Sequence, residues 1–413
     1  MFNINIKSIR ASNIFLYVFV LYIFSIPIFQ AYSCNSKFIL GWFLPFSIFI
    51  FIVAKSKKIT FTFVEILFLA LFFLLNVYYI FINSTGAIYG KYTYIFLLAL
   101  FFSKVISKIS SRELIRVISS IYIIVMVLLV AEYLFVLNFT NKFFIESLVC
   151  NASGVVGYRN LGNYTLFSSL ISTAGMNSIL LGAQTASQIS LTSLIWFYFF
   201  YKLTSYPVFY KIMIVISISF LILSPTITTS LMFLIMLLAF GLMKLKHNLI
   251  RLDQVYISVI IITILSIGFI VMIYSRYEGF NSIMDELIMP QVFNFSFLSY
   301  REILLGMRLD EVAELFQVTE VAMIHHIVIF GIIGVSVFIA FVAYNIIVSS
   351  SFINNLDIDE KSLYIASVAI VVLFLLSNVH YQVMFQVGLM EIFSIHLACI
   401  ISIATRNREA LNS

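Results

Sequence analysis

Two imidazoles stand side by side at His325 and His326, shortly before the run Gly331–Ile332–Ile333–Gly334, and the carboxylate of Glu320 precedes them. An imidazole titrates near neutral pH and can take a proton from a sugar hydroxyl; a carboxylate can do the same, or orient the hydroxyl. The plainer reading of each histidine is a polar ring hydrogen-bonded at the boundary of an apolar segment. A third imidazole, His380, is followed by Tyr381. Arginine is the second signal. Arg159 lies between glycines in Gly157–Tyr158–Arg159–Asn160–Leu161–Gly162, and Arg276, Arg301 and Arg308 follow in a later polar segment. A guanidinium presents a planar fork of N–H donors that matches phosphate oxygens. Glycine lets the backbone approach a ligand closely. The competing reading pairs these arginines with Glu278, Asp285, Glu286 or Asp310.

Other polar residues lie within or beside apolar runs. Glu132 and Glu391 are carboxylates in such runs, and an acid inside a membrane span is costly enough to be a functional candidate. Glu391 would suit proton-coupled transport, whereas Glu65, near the start of its run, reads as structural. The turn Ser224–Pro225–Thr226–Ile227–Thr228–Thr229–Ser230 carries hydroxyls that can satisfy backbone freed by Pro225, or contact a sugar. The chain has no phosphate-binding glycine loop, no dinucleotide fingerprint, no zinc motif and no serine-hydrolase elbow. No metal or cofactor is expected. Cys34, Cys150 and Cys399 form no ligand cluster, and Cys34 and Cys150 read as two thiols or as a disulfide.

The elements that must position these groups follow from composition. Of 413 residues, 62% are hydrophobic and 10% charged, with a mean hydropathy of +1.09. A water-soluble fold cannot bury that much apolar surface, because its own surface must be mostly wetted. A soluble enzyme and a disordered chain are therefore excluded. A β-barrel is disfavoured, since its strands alternate polar and apolar residues. The expected class is all-α: one polytopic membrane bundle over residues 1–413. The net charge of +6 reads as cytoplasmic loops, with no nucleic-acid partner.

A span needs about 20 apolar residues. Twelve segments qualify: Ile14–Ser33, Phe38–Ala54, Phe61–Asn83, Tyr92–Ile106, Val117–Leu137, Ile179–Tyr201, Val208–Ser224, Ile227–Met243, Val255–Tyr274, Ile327–Ile347, Leu363–Ser377 and Met384–Ala404. With the N-terminus inside, only Lys37, Lys91, Lys142, Arg159, Arg276, Arg301 and Arg308 fall outside; the other 17 of the 24 Lys and Arg residues fall on the cytoplasmic side. That bias predicts both termini in the cytoplasm. Two connections are long, at about 138–178 and 275–326, and both are predicted to lie outside. The second is expected to hold an amphipathic helix, Arg301–Phe316, with Leu304, Leu305, Val312 and Leu315 near one face.

From Val149 onward the order of short motifs resembles the O-antigen polymerase and ligase superfamily, the Wzy-type membrane glycosyltransferases of the GT-C kind. Arg159–Gly162 resembles the arginine–glycine element of that family's first large outer loop. Gly182–Ala183–Gln184–Thr185–Ala186 looks like the stretch after that loop, and Ser224–Ser230 is similar to its Ser/Thr-rich turn. Leu304–Leu305–Gly306, Glu320 and Phe330–Gly334 resemble the second outer loop running into the next span, and His380–Tyr381 resembles a late outer turn. Ligases usually carry His-Asn where this chain has His325–His326. The resemblance implies a polymerase in a bacterial inner membrane, joining undecaprenyl-pyrophosphate-linked repeat units at the periplasmic face. The sugar hydroxyl of one unit would attack C1 of the donor's reducing sugar, and undecaprenyl pyrophosphate would leave. Arg159, Arg276 and Arg301 would grip the pyrophosphate, with His380 and Tyr381 beside the substrate, and His325, His326 or Glu320 would handle the hydroxyl proton. Partners would be the lipid-linked glycans, membrane lipid and a chain-length regulator protein. The competing assignments are an O-antigen ligase and a polysaccharide flippase or secondary transporter.

Overall fold

The structure is a computed structural model. It describes residues 47, 61–138, 182–201, 203–223, 229, 232–233, 235–236, 298–308, 311–312, 322–378 and 389–412. All regular structure among the described residues is helical. The helices are α1 (Phe63–Phe81), α2 (Gly86–Ile106), α3 (Ser111–Asn138), α4 (Gly182–Phe200), α5 (Pro207–Leu223), α6 (Tyr300–Leu305), α7 (Ala322–Ser350), α8 (Ile358–Ser377) and α9 (Leu389–Asn412). Among the described residues four stretches are long and apolar enough to cross a membrane: Phe63–Phe81, Met323–Ser350, Ile358–Ser377 and Leu389–Asn407. Eight of the twelve expected segments coincide with α1–α5 and α7–α9. Ile14–Ser33, Phe38–Ala54, Val255–Tyr274 and all but a few residues of Ile227–Met243 lie outside the described residues.

Local chemistry sets several helix starts. Thr62 caps α1 in a reciprocal box: its hydroxyl accepts from the Glu65 N–H, and the Glu65 carboxylate accepts from the Thr62 N–H. Ser299 and Glu302 repeat the device at α6. Asp357 accepts from the Glu360 N–H at the start of α8. Each cap satisfies amide donors that a first helical turn cannot pair internally.

The helices are layered by burial. In its apolar window α9 is 89% buried and α1 only 17%. So α9 is the axis of the bundle, packed on α2, α7 and α8, while α1 turns Phe63, Phe73, Leu74 and Phe81 outward. An apolar outward face on a peripheral helix is what contact with lipid requires. Among the described helices α2 and α9 pack most extensively, and Phe96 of α2 and Phe393, Leu397 and Ile400 of α9 are buried in the core.

Opposite ends of the bundle carry different chemistry. At one end Arg406 donates to the carbonyls of Ile106, Ser107 and Ile109, to the Ser111 hydroxyl and to Glu360. Lys104 pairs with Glu65 at 2.7 Å and Arg112 with Asp359 at 3.3 Å. Glu65 is thus bound into a cap and an ion pair, a structural role. The α2 C-terminus and the α3 and α8 N-termini therefore meet at this arginine end. The α2 N-terminus, the α8 C-terminus and the α9 N-terminus lie at the other, where His326 is found.

One expected element changes. The helix expected over Arg301–Phe316 is interrupted: α6 stops at Leu305, and residues 311–312 are helical again. Gly306 has φ +81, and residues 306–308 are not helical. The reason is tertiary. Met307 N–H donates to the Val328 carbonyl of α7 at 2.8 Å, so this backbone turns in to serve α7 at 306–308, between the helical residues on either side.

A kinked helix, two histidines and a row of tyrosines

α7 breaks at Gly331, whose φ of 62° and ψ of 173° are non-helical and readily adopted only by glycine. A break inside an apolar helix strips carbonyls of their i+4 partners, and those groups must be satisfied nearby. The structure supplies partners from two other parts of the chain. The Tyr79 hydroxyl donates to the Phe330 carbonyl. Met307 N–H takes the Val328 carbonyl. Just beyond the break the Tyr89 hydroxyl also donates to the Gly334 carbonyl at 3.4 Å, which ties α2 to the joint. Asn83 fixes the crossing strand by donating to the carbonyls of Leu305 and Gly306 at 3.1 and 3.2 Å.

The two glycines face each other at this crossing. A Cβ on Gly306 would overlap the Ile329 carbonyl, and one on Gly331 would overlap the Leu304 carbonyl. A Cβ on Gly334 would strike the Tyr79 hydroxyl. Leu304–Leu305–Gly306 and Phe330–Gly334, motifs separate in sequence, thus form one interlocked joint.

His325 and His326 lie one to two turns before the break. His326 is 2% exposed, and its Nδ1 is hydrogen-bonded to the Tyr92 hydroxyl. Its ring packs edge-on to Tyr92 and Phe330, with centroids at 5.5 and 5.8 Å. His325 is half-buried beside it, with ring centroids 6.2 Å apart, and Lys91 is a further charged neighbour of His326. Tyr79, Tyr89 and Tyr92 make a continuous aromatic row, 4.5 and 5.6 Å between centroids. Arg301 is exposed on α6, which packs against α7. The joint therefore brings together the elements carrying His325, His326 and Arg301. Glu320, Arg159, Arg276, His380 and Tyr381 lie outside the described residues. So does the Ser224–Ser230 turn except Thr229, which is buried.

Sequence reading missed the tyrosines and Asn83. The family resemblance draws little from the first five spans, yet α1, α2 and the turn between them furnish Tyr79, Asn83, Tyr89 and Tyr92. The available signal was five tyrosines, Tyr78, Tyr79, Tyr89, Tyr92 and Tyr94, crowded around one short connection between apolar runs. A buried phenol almost always requires a partner.

Two further polar groups lie in the core. Glu391, 1% exposed, accepts from the Tyr94 hydroxyl at 3.0 Å. His396, also 1% exposed, is held at both ring nitrogens: Nε2 by the Tyr122 hydroxyl at 2.7 Å and Nδ1 by the Ser367 hydroxyl at 3.3 Å. Trp196 donates to Ser119 alongside. His396 is a satisfied core histidine. Cys399 is a buried free thiol. Among the described residues, no three His, Cys, Asp or Glu side chains group to hold a metal ion.

The fold and composition together define a helical membrane protein. Compared with protein-family models, with curated proteins and with solved structures, the chain matches none.

Proposed function

We propose that this chain is a polytopic membrane glycosyltransferase of the polymerase kind, acting on glycans linked to undecaprenyl pyrophosphate. In this reading about twelve spans cross a bacterial inner membrane, both termini are cytoplasmic, and the histidine end of the bundle faces the periplasm. The observation that carries the reading is the joint at Gly331. It packs the helix bearing Arg301, a guanidinium suited to a diphosphate, against the helix bearing His325 and His326. The basic-residue bias and the motif order from Val149 onward support the same assignment.

The chemistry is an acetal exchange. The acceptor hydroxyl forms a bond to C1 of the donor sugar, and the C1–O bond to the pyrophosphate breaks. The hydroxyl proton passes to His325, His326 or Glu320, and the pyrophosphate leaves with the electron pair. Arg159, Arg276 and Arg301 would stabilise the charge that develops on it. Tyr92 holds the His326 ring through Nδ1, which fixes its orientation.

The test is reconstitution of the full chain in vesicles with undecaprenyl-pyrophosphate-linked repeat units. A ladder of longer glycans is expected. Arg301→Ala and His326→Ala should lower the rate by about 100-fold or more while the protein stays folded in the membrane. A folded protein that makes no ladder overturns the assignment. Transfer to lipid A–core with no ladder would instead identify a ligase.

A transport reading draws on two features, the discontinuous helix α7 and the buried carboxylate Glu391, both frequent where transporters hold substrate and protons. Proton-dependent uptake into the same vesicles, lost in Glu391→Gln, would establish it.

A further inference from the structure

α3 enters the bundle at the arginine end, and its outer surface changes chemistry along its length. Among the described side chains over residues 111–130, the exposed ones are Arg112, Arg116, Ile124 and Val127. At 3.6 residues per turn these four fall within an arc of about 120°, so they share one face. Leu114, Ile118, Ile121 and Val125 fall on the opposite face and are buried in the core. Arg112 and Arg116 stand one turn apart, with Cβ atoms about 5–6 Å from each other, just before the apolar run that begins at Val117. Ile124 and Val127 follow on the same face, about 12 and 16 Å further along the axis than Arg116. The hydrocarbon of one leaflet is about 15 Å deep, half of a bilayer core.

The charge on this face is in excess. Arg112 pairs with Asp359 through Nε at 3.3 Å and stays largely exposed, and Glu113 at the edge of the face is half-buried. Lys108 is exposed in the connection that leads into α3. Among the described residues neither Lys108 nor Arg116 has a carboxylate in ion-pair range. The other outward helices at this end differ. Beside α1 the cation Lys104 is closed on Glu65. α5 starts at the same end, because Trp196 donates to Ser119 of α3 and Phe197 packs on Tyr210. It turns Val208, Ile212 and Val215 outward with Lys211 as its one cation.

A guanidinium donates a planar fork of N–H groups to phosphate oxygens. An apolar stripe one leaflet deep, continuing from the same arginines, matches the acyl chains that hang from such a phosphate. A soluble acidic partner would meet the arginines and leave Ile124 and Val127 uncovered, and a zwitterionic headgroup brings an ammonium that the excess positive charge repels. We propose that the Arg112–Arg116 face of α3 is a binding site for an anionic phospholipid, with the phosphate at the two arginines and the chains along Ile124 and Val127. The site is independent of the glycan chemistry and requires only that the bundle stands in a membrane.

The experiment uses the full chain, delipidated in detergent, titrated with dioleoylphosphatidylglycerol or dioleoylphosphatidylethanolamine and read by native mass spectrometry. The anionic lipid should bind about tenfold more tightly than the zwitterionic one. Arg116→Gln should weaken the anionic lipid about fivefold, and the double variant Arg112→Gln/Arg116→Gln should bring the two lipids level. Both variants should unfold near the wild-type temperature in lipid-free detergent, since the side chains they change are exposed, and this separates lost binding from lost fold. Lys211→Gln, on the neighbouring outward helix, should leave the preference unchanged. Glycerophosphoglycerol, the same headgroup without its chains, and polyglutamate should not displace the bound lipid. Equal affinity of the wild-type chain for the two lipids, or a preference kept in the double variant, overturns the proposal. So does an effect of Lys211→Gln as large as that of Arg116→Gln. Displacement by glycerophosphoglycerol overturns it in favour of a phosphate site that ignores the chains, and displacement by polyglutamate in favour of a surface for acidic proteins.

Discussion

The two ends of this bundle solve opposite problems. At the arginine end Arg406, Lys104 and Glu65 are all paired. Arg406 alone ties the C-terminus of α2 to Ser111 and Glu360, and Lys104 closes on Glu65. At the histidine end α7 is broken, its freed carbonyls are held by the Tyr79 hydroxyl and the Met307 N–H, and one polar end each of the Gln188 and Asn378 amides remains unpaired. Saturated polar groups hold helices in register. An irregular backbone inside a dry interior persists only where neighbouring groups satisfy it, as Tyr79 and Met307 do here. The two buried histidines repeat the contrast. His396 is gripped at both nitrogens in the core, whereas His326 is held by Tyr92 next to a helix break, with His325 and Lys91 beside it.

The largest expected effect is at the joint. Gly331→Ala or Gly306→Ala puts a Cβ into an opposing backbone at positive φ, and should cost about 3 kcal/mol or more. Size-exclusion profiles of detergent-extracted protein should show loss of the folded peak; an undiminished peak would mean that the joint is not tight. Next is the arginine end. Arg406→Leu leaves three carbonyls and Glu360 without their donor and should destabilise by about 2–3 kcal/mol, read as a lower unfolding temperature, with activity per folded molecule unchanged.

The tyrosine pair sharpens the contrast between the histidines. Tyr92→Phe and Tyr122→Phe each remove one phenol–imidazole hydrogen bond and should each cost about 1 kcal/mol. Only Tyr92→Phe should slow glycan elongation, by about tenfold or more. Equal kinetic effects would erase the distinction between the two sites. The smallest effect belongs to Arg112→Ala, because the Arg112 side chain is 75% exposed in its pair with Asp359. Its unfolding temperature should shift by no more than about 0.5 kcal/mol implies.

Much of this was legible in the chain. Eight apolar segments fell on helices, because lipid-span length and hydropathy are local properties. The capping boxes Thr62–Glu65 and Ser299–Glu302 went unread, although Thr or Ser followed three residues later by Glu is their local signal. His325, His326 and Arg301 were singled out by residue type alone. The break at 306–308 in the helix expected over Arg301–Phe316 went unread because periodicity cannot register a backbone hydrogen bond to a distant helix. Tyr79, Asn83, Tyr89 and Tyr92 went unnoticed because their partners, Phe330, Leu305, Gly334 and His326, are more than 200 positions away.

By itself the sequence determined that this protein is helical, that its helices suit a membrane, and that its basic residues are unevenly shared between connections. Those follow from composition and short-range periodicity. Only the tertiary structure decided that α9 is the axis and α1 the rim, that His396 is structural, and that Gly306 meets Gly331. The reason is that a glycine's or a histidine's role depends on what packs against it, and those neighbours come from helices that are adjacent in space and remote along the chain.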